Sequence, residues 1–370
     1  MSIELDRVAA RLTAAQKEAL RRVLPAPLRR SLGRRAHEAQ RDRQVETMRA
    51  TPWLLHRALP PDRLAAAPVS DVLWARLTDE DRAAIETALS AEERGVVAGA
   101  RPLDQLRTRL AFGVHHAVPG VLERTGLSAA MPPPDVHSMA HGPLAAGGAY
   151  YYADMVADAL AEAGAAEPAP GANVLDFGCS SGRVVRVLAA AYPDAGWYGC
   201  DPIPDAIDWA AANLPGIDFV NSPQEPPLPY RDGYFDAVYA ISVWSHFADG
   251  AARRWLAEME RLIRPGGHLV LSTHGMQAVS LYGQLEIRSP EQLEEIARAL
   301  FERGFWYAAE FDHPVFEGKG DHGVVNPEWG TAFFTPEWLL AAACPRWSVR
   351  AFHAGRLEDN QDLYVLKRAT

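Results

Sequence analysis

From Asn173 onward the chain alternates short apolar runs with amphipathic helical patterns: NVLDF, GRVVRVLAAAY, GWYGCD, DAIDWAAANL, IDFVN, FDAVYAIS, AARRWLAEMERLI and HLVLST. A strand that is apolar throughout needs cover on both faces, and a helix between two strands lets them run parallel. The pattern predicts an α/β fold built on a doubly wound parallel sheet. In such a sheet, ligands bind outside the carboxyl ends of the strands, where helix N-termini and backbone groups face solvent. The stretch NVLDFGCSSGRVVRVLAA, Asn173 to Ala190, marks one such place, since a cluster of small residues there separates a strand from a helix.

Upstream of Ala169 to Ala172 (APGA) the patterning is different. Helical segments are separated by proline-bearing breaks at Pro25 to Pro27, Thr51 to Trp53, Leu59 to Asp62 and Met131 to Asp135, and strand-like alternation is scarce. Thr78 precedes an acidic first turn, and Ser90 with Glu93 has capping-box spacing. With 370 residues, 48% of them hydrophobic, the chain is long enough for two domains. The reading is a helical N-terminal domain over 1–147 and a sheet domain over 148–370. Downstream, Ser289 and Gln292 open a helix that stops at Gly304. The tail then offers strand candidates FWYAAEF and GTAFFT, a helix at PEWLLAAA, and closing strands WSVRAFHA and QDLYVLKRA.

Charge and cysteine usage narrow the function. A net charge of -10 argues against a protein whose main task is gripping phosphate backbones, so no nucleic acid partner is expected. Residues 1–50 nevertheless hold twelve Lys or Arg against six Asp or Glu. Such an arm suits an acidic partner or the acidic body of a second copy in a homodimer, and equally a solvated helix face. Three scattered cysteines, Cys179, Cys200 and Cys344, do not make a disulfide framework or a metal site. No signal peptide and no membrane-length apolar run stands out, so a cytoplasmic protein with no membrane partner is expected.

At the glycine cluster, Gly178 and Gly182 allow a tight turn and close approach of a ligand to the main chain. The dinucleotide fingerprint G-x-G-x-x-G would need glycines where Ser180 and Arg183 stand, and a phosphate-cradling G-x-x-x-x-G-K-[ST] is absent. Asp176 to Gly182, DFGCSSG, instead resembles D-x-G-x-G-x-G, the first motif of class I S-adenosylmethionine-dependent methyltransferases, with serine for the middle glycine. Further landmarks follow in order. YGCDPIPDAIDWA sets Asp201 25 residues after Asp176, as in the family's ribose-binding acid. FDAVYAISVWSHF is similar to the fourth strand and its loop, and LIRPGGHLVLST to the family's L-x-P-G-G-x-L, with Ile263 for the first leucine. The resemblance covers residues 148–276 closely and the tail by pattern.

The resemblance implies a Rossmann-like sheet of seven strands, S-adenosylmethionine as cofactor, and a small-molecule acceptor in natural-product or sugar metabolism. Asp176, Gly178 and the backbone near Ser180 would line the methionine and ribose side, with Gly182 in the same turn. A carboxylate at Asp201 can accept from both ribose hydroxyls at once. Ile203 would pack on the adenine face, Asn221 and Ser222 would read its amino group, and Tyr151, in GGAYYYADM, would close over the sulfonium. His246, in the loop after the fourth strand, is the candidate base, although a loop histidine bonded to backbone is the competing reading. Trp244 shapes the pocket or packs. The insertion over about 305–335, rich in aromatic residues, would cover the substrate or form a small core of its own. His137 with His141, and Asp312, His313, Asp321 and His322, lack rigid ligand spacing, so no metal is expected. Two rivals remain: transfer of the cofactor's aminocarboxypropyl arm, and a scaffold with a vestigial pocket.

Overall fold

The computed structural model describes residues 63–133, 136, 143–309, 324 and 326–370. The basic segment 1–50 and the two histidine groups weighed above as metal ligands lie outside the described residues.

Among the described residues, six helices precede the sheet: α1 (Pro68–Ala75), α2 (Asp79–Ala88), α3 (Ala91–Gly99), α4 (Pro102–His115), α5 (Pro119–Thr125) and α6 (Pro143–Glu162). Their starts follow the local code. Thr78 accepts from the Asp81 N–H while Asp81 accepts from the Thr78 N–H, and Ser90 and Glu93 do the same for α3. Proline sits in the first turn of α1, α4 and α5, where its missing N–H costs nothing.

The remainder supplies β1 (Asn173–Phe177), α7 (Val185–Ala191), β2 (Gly196–Asp201), α8 (Pro204–Asn213), β3 (Ile217–Asn221), β4 (Phe235–Ala240), α9 (Asp249–Leu262) and β5 (Ile263–His274). There follow α10 (Met276–Leu285), α11 (Pro290–Arg303), β6 (Phe305–Ala309), β7 (Gly330–Phe334), α12 (Pro336–Ala343), β8 (Trp347–Leu357) and β9 (Gln361–Arg368). Strands β3, β2, β1, β4 and β5 lie side by side and parallel. Antiparallel β9 and then β8 complete a run of seven. The sheet counts nine strands among the described residues, because the antiparallel hairpin of β6 and β7 adds to that run through the His274–Phe333 pair. Beyond the carboxyl end of β4, β7 pairs with the loop itself: Ala332 N–H donates to Ser245 O and Gly330 N–H to His246 O, at 2.7 and 2.8 Å.

Alternation along the strands divides the apolar residues between two faces. Val174, Ala237, Tyr239, Val270, Leu363 and Val365 join one core, and Leu175, Phe177, Val238, Ala240, Leu269, Leu271, Tyr364 and Leu366 join the other. α9 and α12 cover the second. The first core is shared with the N-terminal helices, since Leu73 of α1, Leu110 of α4, Met155 of α6 and Val185 of α7 belong to the same cluster. One apolar core therefore runs across residue 147, the boundary expected between two domains. A buried carboxylate fixes the arrangement: Asp154 of α6 accepts from the N–H groups of Val69 and Ser70 at 2.8 Å each, and from Arg107 Nε at 2.7 Å.

Candidate active site

The chain leaves β1 through Gly178 (φ 82°), Ser180 (φ 48°) and Gly182 (φ 75°). The N–H groups of Gly178 and Cys179 both donate to Cys200 O, at 2.8 and 3.1 Å, which pins the turn to the end of β2. Gly178 is forced twice over, because its φ disfavours side chains and an added Cβ would lie 2.5 Å from Val243 Cγ2. At Gly182 an added Cβ would meet Leu214 and Phe219 at 2.8 and 2.9 Å, so this glycine serves packing against α8 and β3. Ser180 sits in the left-handed region that the family's glycine would take freely. Its N–H donates to Asp201 Oδ2 at 2.8 Å, which helps to hold it there.

Asp201 ends β2. Besides Ser180, it accepts from the Ile203 N–H through Oδ1 at 3.0 Å, and it is 7% exposed. These backbone bonds fix the position of the carboxylate at the end of β2. It lines a cavity together with Gly178, Ser180, Ile203, Ser222 and His246 among others. The described lining contains the carboxylates of Asp201, Glu225 and Glu328 and neither lysine nor arginine. Such a site suits a ligand that carries a sugar diol and a flat ring to lie on Ile203 and Val243.

Four sequence candidates are placed outside that lining. Gly182 is one. Asn221 is exposed, and its Nδ2 donates to Asp201 O at 3.1 Å, tying β3 to β2. Tyr151 donates its hydroxyl to Arg356 O and packs under Arg107, with 5.3 Å between guanidinium and ring centre, so it joins α6 to β8 and α4. Asp176 is buried beneath the turn, where burial lifts its carboxyl to about 7, the nearby Asp201 charge adding to the rise.

His246 lines the cavity and is bonded to backbone as well. A carbonyl oxygen can only accept; the 2.7 Å contact between His246 Nδ1 and Gly330 O therefore puts a proton on Nδ1. In the neutral ring the lone pair is then at Nε2. The ring stacks on Trp329, 4.6 Å between centres and 12° between planes. Trp244 is fully buried against Phe177 and serves the core. Sequence reasoning missed Ser242, Glu225, Asn326 and Glu328 in the lining. The last three are drawn together by α9: Arg254 pairs with both Glu225 and Glu328, and Asn326 Nδ2 donates to Glu225 Oε1 at 3.3 Å. Away from the lining, Glu93, His115 and His116 bring three potential metal-ligating atoms within 4.8 Å of one another.

Residues 174–267 match the family model of a methyltransferase domain. An uncharacterised 37.1 kDa protein in transposon TN4556 of Streptomyces fradiae is 32% identical over 141 residues, covering 37% of this chain and 38% of that protein. A probable tRNA methyltransferase 9B of Mus musculus is 28% identical over 156 residues, 41% of this chain and 33% of its own length. The chain thus spans about a third of the length of these relatives. Among solved structures, a S-adenosylmethionine-dependent methyltransferase from Methanosarcina mazei overlays with a TM-score of 0.40 at 19% identity, covering 55% of this chain and 95% of that one. The assignment rests on the family match. The chain carries a class I S-adenosylmethionine-dependent methyltransferase domain, and S-adenosylmethionine is its cofactor. No helix among the described residues is long and apolar enough to cross a membrane.

Proposed function

We propose that the protein transfers the methyl group of S-adenosylmethionine to a small molecule, to oxygen in preference to nitrogen, and that Asp201 and His246 divide the work. The observation that carries this reading is one cavity, at the carboxyl ends of β1, β2 and β4, lined by Gly178, Asp201, Ile203, Ser222 and His246 together. The cofactor, when bound, supplies an electrophilic methyl group on a sulfonium. Asp201 would accept from the ribose diol, Ile203 would lie against the adenine, and Ser222 would offer its hydroxyl to the ring edge. With Nδ1–H of His246 donating to Gly330 O, the basic nitrogen of the neutral ring is Nε2, which would take a proton from an acceptor hydroxyl. Alignment of nucleophile and methyl group supplies the rest, an effect worth up to about 7–11 kcal/mol in favourable cases.

A net charge of -10 favours a small acceptor over a polyanion. Three unpaired cysteines support a reducing, cytoplasmic setting. The test is calorimetry with S-adenosylhomocysteine, followed by transfer of labelled methyl from the cofactor into an extract of the native cell. Label in the small-molecule fraction is expected. Label retained on the spent cofactor would point to aminocarboxypropyl transfer, and no binding at all would point to a scaffold.

A further inference from the structure

Ser242 lines the cavity with a left-handed backbone, φ 61°. Serine does not rest there by preference, so its surroundings have to hold it. Its N–H donates to Ser272 Oγ at 2.7 Å, the Ser272 hydroxyl donates to Gln361 Oε1 at 2.8 Å, and Gln361 Nε2 donates back to Ser242 Oγ at 2.7 Å. The three bonds close a ring in which each residue both gives and receives. Ser272 and Gln361 are 0% and 5% exposed and come from β5 and β9, Gln361 lying 119 residues from Ser242 in sequence. Ser242 Oγ is also 3.2 Å from Ser245 Oγ.

The same glutamine touches a second chain of bonds. Its Nε2 is 3.4 Å from His274 Nε2, which accepts from the Tyr282 hydroxyl at 2.9 Å, while His274 Nδ1–H donates to Ala332 O at 3.1 Å. Ala332 N–H in turn holds Ser245 O, and two residues earlier in β7 Gly330 O holds the His246 imidazole. The loop from Ser242 to His246 is therefore gripped by the ring at one end and by β7 at the other. Between them Val243 closes on Gly178.

We infer that Gln361 is a positioning residue for the cofactor cavity, acting through Ser242 and Ser272 to fix the loop that packs Val243 against the glycine turn and presents His246. The inference rests on the cavity being the S-adenosylmethionine site. The amide of Gln361 offers, on separate atoms, the acceptor that Ser272 needs and the donor that Ser242 needs. A methionine fills the same volume and does neither.

The experiment is a cycle of Gln361→Met, Ser272→Ala and the double variant in the full chain. Each is measured by calorimetry with S-adenosylhomocysteine well below its melting temperature, with thermal unfolding in parallel. If the ring positions the loop, each single variant weakens binding by about tenfold and the double variant by no more than either, because breaking one bond opens the whole ring. If Gln361 only satisfies buried groups, melting temperatures fall while affinity stays within threefold of wild type, and the inference is overturned. Ser272→Ala removes one oxygen atom and carries the same test should Gln361→Met fail to fold. Wild-type protein that does not bind would overturn the cofactor reading itself, which a variant-specific result cannot do.

Discussion

Replacing Asp201 with asparagine removes a charge and one acceptor at the point where two strands meet the cavity. In the wild type Oδ2 accepts from Ser180 N–H at 2.8 Å and Oδ1 from Ile203 N–H at 3.0 Å. Asparagine keeps the carbonyl for one of them and turns a donating NH2 toward the other, so one N–H of the turn loses its partner. Hydrogen bonds to a charged group contribute roughly 1.5–3 kcal/mol each. At 7% exposure Asp201 is shielded from solvent, and this range applies without large discount. If the carboxylate also accepts from the ribose diol, the loss of charge at that contact weakens S-adenosylhomocysteine binding by about 10- to 150-fold. Titration calorimetry of both proteins at neutral pH measures it directly. An affinity within threefold of wild type, in a variant that still folds, would refute the assignment of Asp201 as the diol acceptor.

His246→Ala should lower methyl transfer by about 10²- to 10⁴-fold while leaving S-adenosylhomocysteine affinity within threefold, as expected of a general base; equal losses in both would make it a pocket wall. Gly178→Ala should destabilise the fold by roughly 2–4 kcal/mol in urea, from the left-handed backbone and the 2.5 Å approach to Val243, and Val243→Ala should recover part of it. Asp362 is 3% exposed, accepts from Gly355 N–H, and burial raises its carboxyl from 3.8 to about 7. Its proton is bound more tightly in the folded state, so that contribution to stability is complete below about pH 4 and fades as pH rises toward 7. Asp362→Asn should therefore gain on wild type by up to about 4 kcal/mol between pH 4 and 8, and a gap that does not change with pH would contradict the burial argument.

The strand order from β3 to β5 was legible because each strand is an apolar run and each crossover a helix, and both signals are local. The turn at Gly178 was legible for the same reason, since its backbone demand is written in a single residue. Asp201 and Ser222 followed from their place at strand ends. Tyr151 did not, because rotation of a helix by one residue changes which tyrosine faces the sheet, and Arg107 and Arg356 draw this ring away from the cavity. Asn221 ends β3 and Ser222 follows it; the first is exposed and ties β3 to β2, the second is buried and lines the cavity, and the pattern alone did not say which of the two would reach it. The ring of Ser242, Ser272 and Gln361 left no sequence signal, because Ser242 lies in the loop after β4 and its partners on β5 and β9, Gln361 being 119 residues away.

The helical half shows where reading by pattern stops. A change from helical to alternating patterning near residue 170 is a change of secondary structure, and such a change does not reveal whether two segments bury their apolar faces apart or against each other. Here the sheet decides. Val174, Ala237, Val270, Leu363 and Val365 lie on one face of the sheet and share a core with residues of α1, α4, α6 and α7. Asp154 of α6 ties the helices to one another, accepting from the N–H groups of Val69 and Ser70 on α1 and from Arg107 on α4. The link to the sheet is made by other bonds: Arg76, at the end of α1, donates to Ala190 O and Ala191 O of α7 at 2.6 Å each, and Tyr151 of α6 donates to Arg356 O of β8. The helices and the sheet therefore share one apolar core and are joined across it by these bonds.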